Sequence, residues 1–188
     1  MRRTILGLVM VLLTLSQAPT FSQTANPALA TDVTAAEIQA VLKNIGGGTD
    51  QQIKVVGMAQ YNVGVGILHR NATKSGGPVV AINHERVSEV YYVVSGSGTL
   101  ITGGTVTGVK PLPPDGYLVK VAVGPSNSAV FAQPAQSRKV SAGDMVVIPP
   151  GVYHGFTDIP DHIDYVSVRV DPDRLLPSGH VHEVLTKR

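Results

Sequence analysis

The sequence predicts an all-β fold, a sandwich or barrel of short strands preceded by one short helix. From Ile53 onward, apolar residues recur at every second position, which is the period of a strand with one buried face. Turn-forming segments such as KSGG, SGSG, PPDG and PPG separate these runs. The chain has 188 residues, a length that suits one compact domain. Many short strands with glycine and proline turns are typical of layered or closed antiparallel folds.

The N-terminal segment has the pattern of a secretory signal peptide. Arg2 and Arg3 precede an apolar run over residues 5–15, and the polar stretch SQAPTFSQT follows it. The apolar run is shorter than the roughly 20 residues that a transmembrane helix needs. We therefore expect a signal peptide over residues 1–22, with cleavage as late as residue 30. The protein would then be exported, either periplasmic or secreted, without a stable membrane anchor; the alternative is an uncleaved anchor.

Charge and cysteine content exclude several classes of function. The formal net charge is +2, and removal of Arg2 and Arg3 with the leader would leave the mature chain without net charge. A neutral chain does not indicate binding to nucleic acid or to anionic membranes. The sequence contains no cysteine, which excludes disulfides, thiolate catalysis and zinc sites with cysteine ligands.

The helix is expected within residues 31–48. Thr34 and Glu37 stand three positions apart in TAAE, which is the form of a capping box. A glycine run at 46–48 would end the helix. Apolar residues recur between these two points at helical spacing, namely at Ile38, Val41, Leu42 and Ile45.

The β domain is expected to span residues 50–172, followed by an irregular tail over 173–188. The segment 104–141 is long for a connection, so it is either a loop that shapes a pocket mouth or an extra hairpin. After the first alternating run, the strand candidates are PVVAINH (78–84), EVYYVV (89–94), TLIT (99–102), YLVKVAV (117–123), AVFA (129–132), DMVVIP (144–149) and IDYVSVRV (163–170).

One of these strands begins with a carboxylate, Glu89, at a position that should be buried. Burial of a carboxylate is costly unless it is paired, hydrogen-bonded or bound to a metal ion. The residues around it form a spaced pattern: His84, four residues, Glu89, six residues, Gly96. This pattern resembles the first motif of the cupin superfamily, although Ile82 stands where that motif has its first histidine.

A second segment resembles the other cupin motif. Gly143 is followed by five residues and Pro149, and then Gly151 is followed by two residues and His154. The last position of the motif, an asparagine in the family, is Asp158 here. The resemblance covers about residues 50 to 170 and implies a jelly-roll β-barrel with one divalent metal ion inside it.

The chemistry of the motif residues supports a metal site. Alternate strand residues point to the same face, so His84, Glu89 and His154 could converge from different strands inside the barrel. Two imidazoles and one carboxylate form the facial triad of non-haem Fe(II) sites, and the same set suits Zn, Mn or Ni. The alternative is a metal-free cluster in which the carboxylate is hydrogen-bonded to the two histidines.

Other residues are candidates for the same cavity. His69 is a candidate fourth ligand, because it shares an alternation phase with Ile67; the alternative is a hydrogen-bonding residue at the barrel mouth. We expect Ile82, Tyr91 and Phe156 to line the pocket, with ordinary core packing as the alternative. Glu85 and Tyr91 are acid–base candidates, and the sequence does not choose between them.

The sequence therefore predicts an exported, metal-binding cupin that is a small-molecule enzyme. Its reaction stays open among oxygenase, lyase, isomerase and decarboxylase types, because this fold carries many chemistries. The alternative is a non-catalytic cupin that binds a sugar or an organic acid. A homodimer through an edge strand is also expected, since open sheets have edges to cover.

Overall fold

The computed structural model describes residues 29–46, 49–74 and 76–187. The predicted signal peptide, 1–22, lies outside these described residues. Within them, no helix combines the length and apolar character that a membrane crossing requires.

The described ranges contain eight strands and two α-helices. Helix α1 spans Ala35–Lys43 and helix α2 spans Glu183–Thr186. The strands are β1 (Asp50–Gly57), β2 (Asn62–Thr73), β3 (Val80–His84), β4 (Ser88–Pro111), β5 (Ser126–Ser141), β6 (Met145–Ile148), β7 (His154–Thr157) and β8 (Ile159–Asp171).

All strand pairings are antiparallel, and strand β4 joins two sheets. Its first part pairs with β8 and β6, and β2 and β1 extend that sheet beyond β8. Its second part pairs with β5 and β7, and β3 closes the second sheet between β5 and β7. Two antiparallel sheets packed around one apolar core form a jelly roll. The predicted all-β jelly roll with an N-terminal helix is therefore confirmed.

The SGSG segment is a bend inside β4, and the expectation of a turn between two strands was wrong. The register shifts between Val93 and Ser95, and Gly96 adopts a φ of 70°. A Cβ at this glycine would lie 1.9 Å from the carbonyl oxygen of His162. Only glycine fits that conformation and that contact, and the bend lets one strand serve both sheets.

Helix α1 covers the outer face of the first sheet. Thr34 caps it, and both hydrogen bonds of the predicted capping box with Glu37 are present. The helix buries Val41 completely against Ile67 of β2 and Val166 of β8. Because of this contact, β2 is buried on both faces, on one side by the barrel core and on the other by the helix.

The segment between the motifs contains both of the structures considered for it. The end of β4 and the start of β5 form an added hairpin. The run YLVKVAV is a π-helical turn, Leu118–Val123, and its prediction as a strand was wrong. Tyr117 fixes this turn because its hydroxyl accepts a 2.8 Å hydrogen bond from the backbone of Gln52. Tertiary contacts of this kind override the β propensity of valine.

Candidate functional site

The structure brings together the three residues of the predicted triad. His84 ends β3, Glu89 lies near the start of β4, and His154 begins β7. One nitrogen or oxygen from each lies within 4.8 Å of the others. Oε2 of the carboxylate is 3.1 Å from Nε2 of His84 and 3.3 Å from Nε2 of His154. All three residues are at most 4% exposed.

Close strand packing fixes the position of His154. Its partner in register is Ile82 on β3, so the position of the absent motif histidine lies directly beside it. The next residue, Gly155, has no side chain to separate the strands. A Cβ there would lie 2.3 Å from the carbonyl oxygen of Val80. The glycine therefore permits the strand contact that holds the imidazole in place.

Hydrogen bonds orient both imidazoles in the same way. The hydroxyl of Ser126 donates to the carbonyl of Gly124, so it accepts from Nδ1–H of His84, 2.8 Å away. Nδ1 of His154 lies 3.0 Å from the carbonyl of Val152, which can only accept. In a neutral imidazole only one ring nitrogen carries a proton. Each neutral ring therefore presents a bare Nε2 lone pair to Glu89.

With both rings neutral, neither imidazole donates a hydrogen bond to Glu89. Among the described residues, Nε2 of His154 has no hydrogen-bond partner although it is buried. Protonation of both rings would supply donors, but it would bury two imidazolium ions with ring centroids 5.1 Å apart. One cation between the three acceptors satisfies all of them at once. The donor set and its tautomers therefore fit a divalent metal ion.

The second oxygen of Glu89 is bound by residues that the motifs do not include. Oε1 accepts hydrogen bonds from the Ser167 hydroxyl at 2.7 Å and from Nε of Arg169 at 3.2 Å. Burial acts to raise the pKa of Glu89, but ring N–H donors and positive charge at His84 and His154, with the charge of Arg169, hold that pKa well below its ordinary value; when both rings are neutral, a bound cation would take the place of the ring protons. The carboxylate is therefore ionised at neutral pH and can serve as an anionic ligand.

Arg169 is itself fully buried and fully paired. Its Nη1 donates to Gln52, and its Nη2 donates to Asp50 at 2.6 Å. Gly64 and Gly66 lie opposite and leave room for these side chains, since a Cβ at Gly66 would lie 2.7 Å from Nη1. The arginine thus links the motif carboxylate to strand β1.

Tyr91 holds the other side of the carboxylate. Its hydroxyl donates a 2.9 Å hydrogen bond to Oε2 of Glu89. Burial, followed by the charge of Glu89, raises the pKa of this phenol well above its ordinary value. Tyr91 therefore stays protonated and positions the carboxylate, and its use as an acid or a base stays a prediction. Glu85, the other acid–base candidate, is exposed and contacts Asn127 outside the cavity.

A cavity of about 50 Å³ adjoins the three residues. Ile82 and Tyr91 line it, as predicted, whereas Phe156 is absent from its walls. Phe156 instead packs on the core and lies beneath the guanidinium of Arg70, 5.4 Å from its ring centroid. Leu118 and Val123 from the π-helical turn also line the cavity, so the long inserted segment does contribute to the pocket.

The structure does not bring His69 into this cluster. It lies on β2, whose neighbours are β1 and β8, so the structure does not support the prediction of His69 as a fourth ligand. Nδ1 of His69 is 2.6 Å from Asp164 and Nε2 is 3.1 Å from Asn71, so the ring has the hydrogen-bonding role weighed as its alternative. Its phase was misjudged because α1 buries Ile67 on the outer face, while glycines occupy the inner face.

Arg70 is one of the cavity residues that sequence reasoning missed. It lies on the inner face of β2, beside His69 in the chain, and it lines the cavity. Its Nε donates to the hydroxyl of Tyr165 at 2.8 Å. The sequence offered one indication, since a charged residue at the inner phase of a buried strand needs a partner.

Comparison with known proteins gives structural neighbours only. No family model matches the sequence, and no curated protein matches it either. A Bacillus halodurans protein of known structure is 12% identical over 86% of this chain and 96% of its own, with a TM-score of 0.47. A double-stranded β-helix protein from Klebsiella pneumoniae is 19% identical over 69% and 83%, with a TM-score of 0.39. A cupin protein from Bacteroides fragilis is 19% identical over 64% and 78%, with a TM-score of 0.34.

At such low identity, the assignment depends on the chain itself. Two antiparallel sheets share strand β4, and both motif segments direct their side chains to one cavity. The spacing His84–Glu89–Gly96 occurs in the first segment, and Gly151–His154 occurs in the second. The chain therefore has a jelly-roll fold, and its motif spacing and buried cluster resemble those of the cupin superfamily.

Proposed function

We propose that the protein binds one divalent metal ion through His84, Glu89 and His154 and is a small-molecule enzyme that acts at this metal. The observation that carries the proposal is the orientation of the two imidazoles. With both rings neutral, the two Nε2 atoms are bare acceptors that face Oε2 of the carboxylate, and Nε2 of His154 has no hydrogen-bond partner among the described residues. Three such ligands leave coordination positions open for a substrate.

The surrounding hydrogen bonds support metal binding. Ser126 and the Val152 carbonyl hold the imidazoles, while Ser167 and Arg169 hold the carboxylate. Partners of this kind fix ligand orientation, and their loss commonly weakens metal affinity by roughly 10 to 100-fold. A bound divalent ion would supply Lewis-acid activation of a substrate oxygen or of O2. Fe, Mn, Zn and Ni all suit this ligand set.

The chain's own residues have separate roles in this proposal. Tyr91 and Arg169 keep the carboxylate ionised and aimed at the imidazoles. Ile82 and Leu118 present apolar walls to the cavity. The reaction type stays open among oxygenase, lyase, isomerase and decarboxylase chemistry, because the fold does not determine it.

The decisive experiment is elemental analysis of the mature protein, purified without an affinity tag that binds metal. We expect about one transition metal ion per chain, lost in His84→Ala and in His154→Ala. The matched control is His69→Ala, which removes a histidine of the same barrel outside the cluster and should leave the metal content unchanged. A wild-type protein that holds no metal, and takes up none of Fe, Mn, Ni or Zn, would overturn the proposal.

Ile82 favours one second candidate, a barrel that binds a ligand without catalysis. Ile82 is paired in register with His154 and cannot bind a metal, so the site keeps three ligands only, His84, Glu89 and His154. In a binding protein, ligand affinity should survive complete removal of the metal. In a metal-dependent enzyme, substrate turnover should disappear together with the metal and return when it is restored.

Export is the remaining part of the proposal and is supported by the sequence of the leader. Arg2 and Arg3 ahead of a short apolar run favour a cleaved signal peptide. The measurement is the intact mass of the protein recovered from the native host. A mass that lacks about the first 22 to 30 residues supports export, and a full-length mass in the cytosolic fraction contradicts it.

A further inference from the structure

The cavity contains an arginine whose guanidinium is held in place but left without an anionic partner. Nε of Arg70 donates to Tyr165, and the guanidinium lies over the ring of Phe156. Within the described ranges, Nη1 and Nη2 of Arg70 donate no hydrogen bond and form no ion pair. Two rings therefore fix the plane of the group, and its fork of N–H donors is free for a ligand.

Arg169, which is buried behind two residues of the cavity wall, Asp50 and Glu89, is a fully paired arginine for comparison. Arg169 donates to Glu89, Gln52 and Asp50, so all three of its nitrogens are occupied. Structural pairing thus satisfies one arginine, while Arg70 keeps its terminal nitrogens unused beside the same cavity. Arg70 is half-buried, and its terminal nitrogens retain some solvent exposure, so an acceptor on a ligand can reach them from the cavity.

A second polar atom of the cavity is also unpaired. Asp50 lines the cavity with a side chain that is 10% exposed, and its Oδ2 accepts from Arg169. Its Oδ1 is buried and has no hydrogen-bond partner among the described residues. A cavity with a free cationic donor and a free acceptor suits a polar ligand, and it does not suit the apolar one that its aliphatic walls alone would favour.

The charges around the cavity favour an anion. Arg70 and Arg169 offset the carboxylates of Asp50 and Glu89, so these four side chains leave no excess charge. The divalent metal of the proposed function adds positive charge to this balance. An incoming carboxylate reduces that excess and can bond to a planar guanidinium through two parallel hydrogen bonds.

The size of the cavity limits the bound group. Its volume of about 50 Å³ is small beside the roughly 300–1,000 Å³ of pockets that enclose a whole drug-sized ligand. A carboxylate of three heavy atoms suits such a space, whereas a sugar ring does not. A larger ligand would place only its acidic end inside the barrel.

We propose that the cavity binds the carboxylate group of a small organic acid through Nη1 and Nη2 of Arg70, beside the His84–Glu89–His154 site. This inference rests on the proposed function for the position of the metal, and it names the substrate class. Arg70 is then a binding residue that selects acids over neutral molecules of the same shape.

The test uses acetate and acetamide, which share a shape and differ in charge. Each is titrated into the zinc-loaded, full mature chain, and binding is followed by shifts of backbone amide signals in NMR spectra. We expect acetate to bind clearly more tightly than acetamide, because the amide can donate to Oδ1 of Asp50 but lacks the charge that pairs with Arg70. In Arg70→Gln the acetate affinity should fall at least about tenfold, the loss of one charge-assisted hydrogen bond or more. Arg138→Gln, an arginine on β5 that contacts Thr102 and Gln136, is the matched control and should bind acetate normally.

Equal acetate affinity in the wild type and in Arg70→Gln overturns the proposal, as do absence of acetate binding and equal binding of acetamide. If Arg70→Gln does not fold, Arg70→Lys takes its place. It keeps the charge but loses the planar fork, so acetate should bind several-fold more weakly, and unchanged affinity again contradicts the proposal. Metal content is measured in parallel. A protein without metal that still binds acetate through Arg70 would refute the proposed function and leave this site standing.

Discussion

The barrel contains two clusters of histidine and carboxylate, and they differ in where their lone pairs point. The inner cluster is His84, Glu89 and His154, and the outer cluster is His69, His162 and Asp164. In the outer cluster every imidazole nitrogen has a neighbour: His69 contacts Asp164 and Asn71, while His162 contacts Asp161 and Ser95. In the inner cluster, both Nε2 atoms face an ionised carboxylate that is already held by donors.

This difference separates a surface hydrogen-bond network from a cation site. Both clusters have the residue types that metals prefer, so composition does not distinguish them. The hydrogen-bond partner of Nδ1 does distinguish them. In the inner cluster, Ser126 and the Val152 carbonyl accept from Nδ1–H of the two rings, which leaves each Nε2 without a proton. Solvent also reaches the outer cluster, where the side chain of His162 is 36% exposed. The predictions below compare matched changes in the two clusters.

The largest difference is expected for loss of the carboxylate charge. Glu89→Gln should lose the metal and lower the free energy of unfolding by about 3 kcal/mol or more, because it removes one partner of the buried Arg169. Asp164→Asn, the same change in the outer cluster, should cost about 1 kcal/mol or less. Urea unfolding of both variants measures this. Similar losses in the two variants would contradict the distinction between the clusters.

Metal addition should stabilise the protein through the inner cluster alone. At a free metal concentration 100 times the dissociation constant, the folded state gains about 2.7 kcal/mol. For a domain of this size we expect the melting temperature to rise by several degrees. Thermal unfolding with and without zinc measures this shift. His154→Ala should abolish it and His162→Ala should retain it. A shift that follows His162 would place the metal in the outer cluster instead.

A change at Ile82 should strengthen the inner cluster. Ile82→His places a fourth imidazole beside His154, since the two positions are paired in register and Ile82 lines the cavity. Four-ligand zinc sites reach apparent binding energies of about 10–16 kcal/mol, so one more ligand is worth roughly tenfold or more in affinity. Competition with a chelator of known affinity measures the gain. Unchanged or weaker binding would show that the side chain cannot reach the metal.

Much of the fold and of the inner cluster could be predicted from the sequence, because local chemistry determines both. The period of two gives the strands, TAAE gives the helix start, and the spacing from His84 to Glu89 gives the first half of the cluster. The strand over YLVKVAV was wrong because a tertiary contact of Tyr117 bends that segment into a π-helical turn. Propensity describes single residues and does not include such contacts.

The roles of His69 and Arg70 could not be predicted for a related reason. Alternation separates the two faces of β2 but does not say which face is inside when both are covered. The outer face carries the apolar Ile67, and the inner face carries glycines that leave room for Arg169. Arg169 lies outside both motifs and 80 residues from Glu89, and its pairing with Glu89 becomes visible only through the register of β4 and β8.

The smallest effect is expected for the pH dependence of the outer cluster. The hydrogen bond to Asp164 raises the pKa of His69 above its ordinary value of 6.5, and burial opposes this in part. A raised pKa in the folded state means that the pair stabilises fully below pH 6.5, and that this stability is lost as the pH rises through the higher folded pKa. For a partly exposed pair the contribution is about 0.2–1 kcal/mol. His69→Gln should therefore destabilise the protein at pH 5.5 and have little effect at pH 8.5, as measured by urea unfolding, and Asp164→Asn should reproduce the same profile. A cost that is equal at both pH values would show that packing, and not the charge on the imidazole, is what this pair contributes.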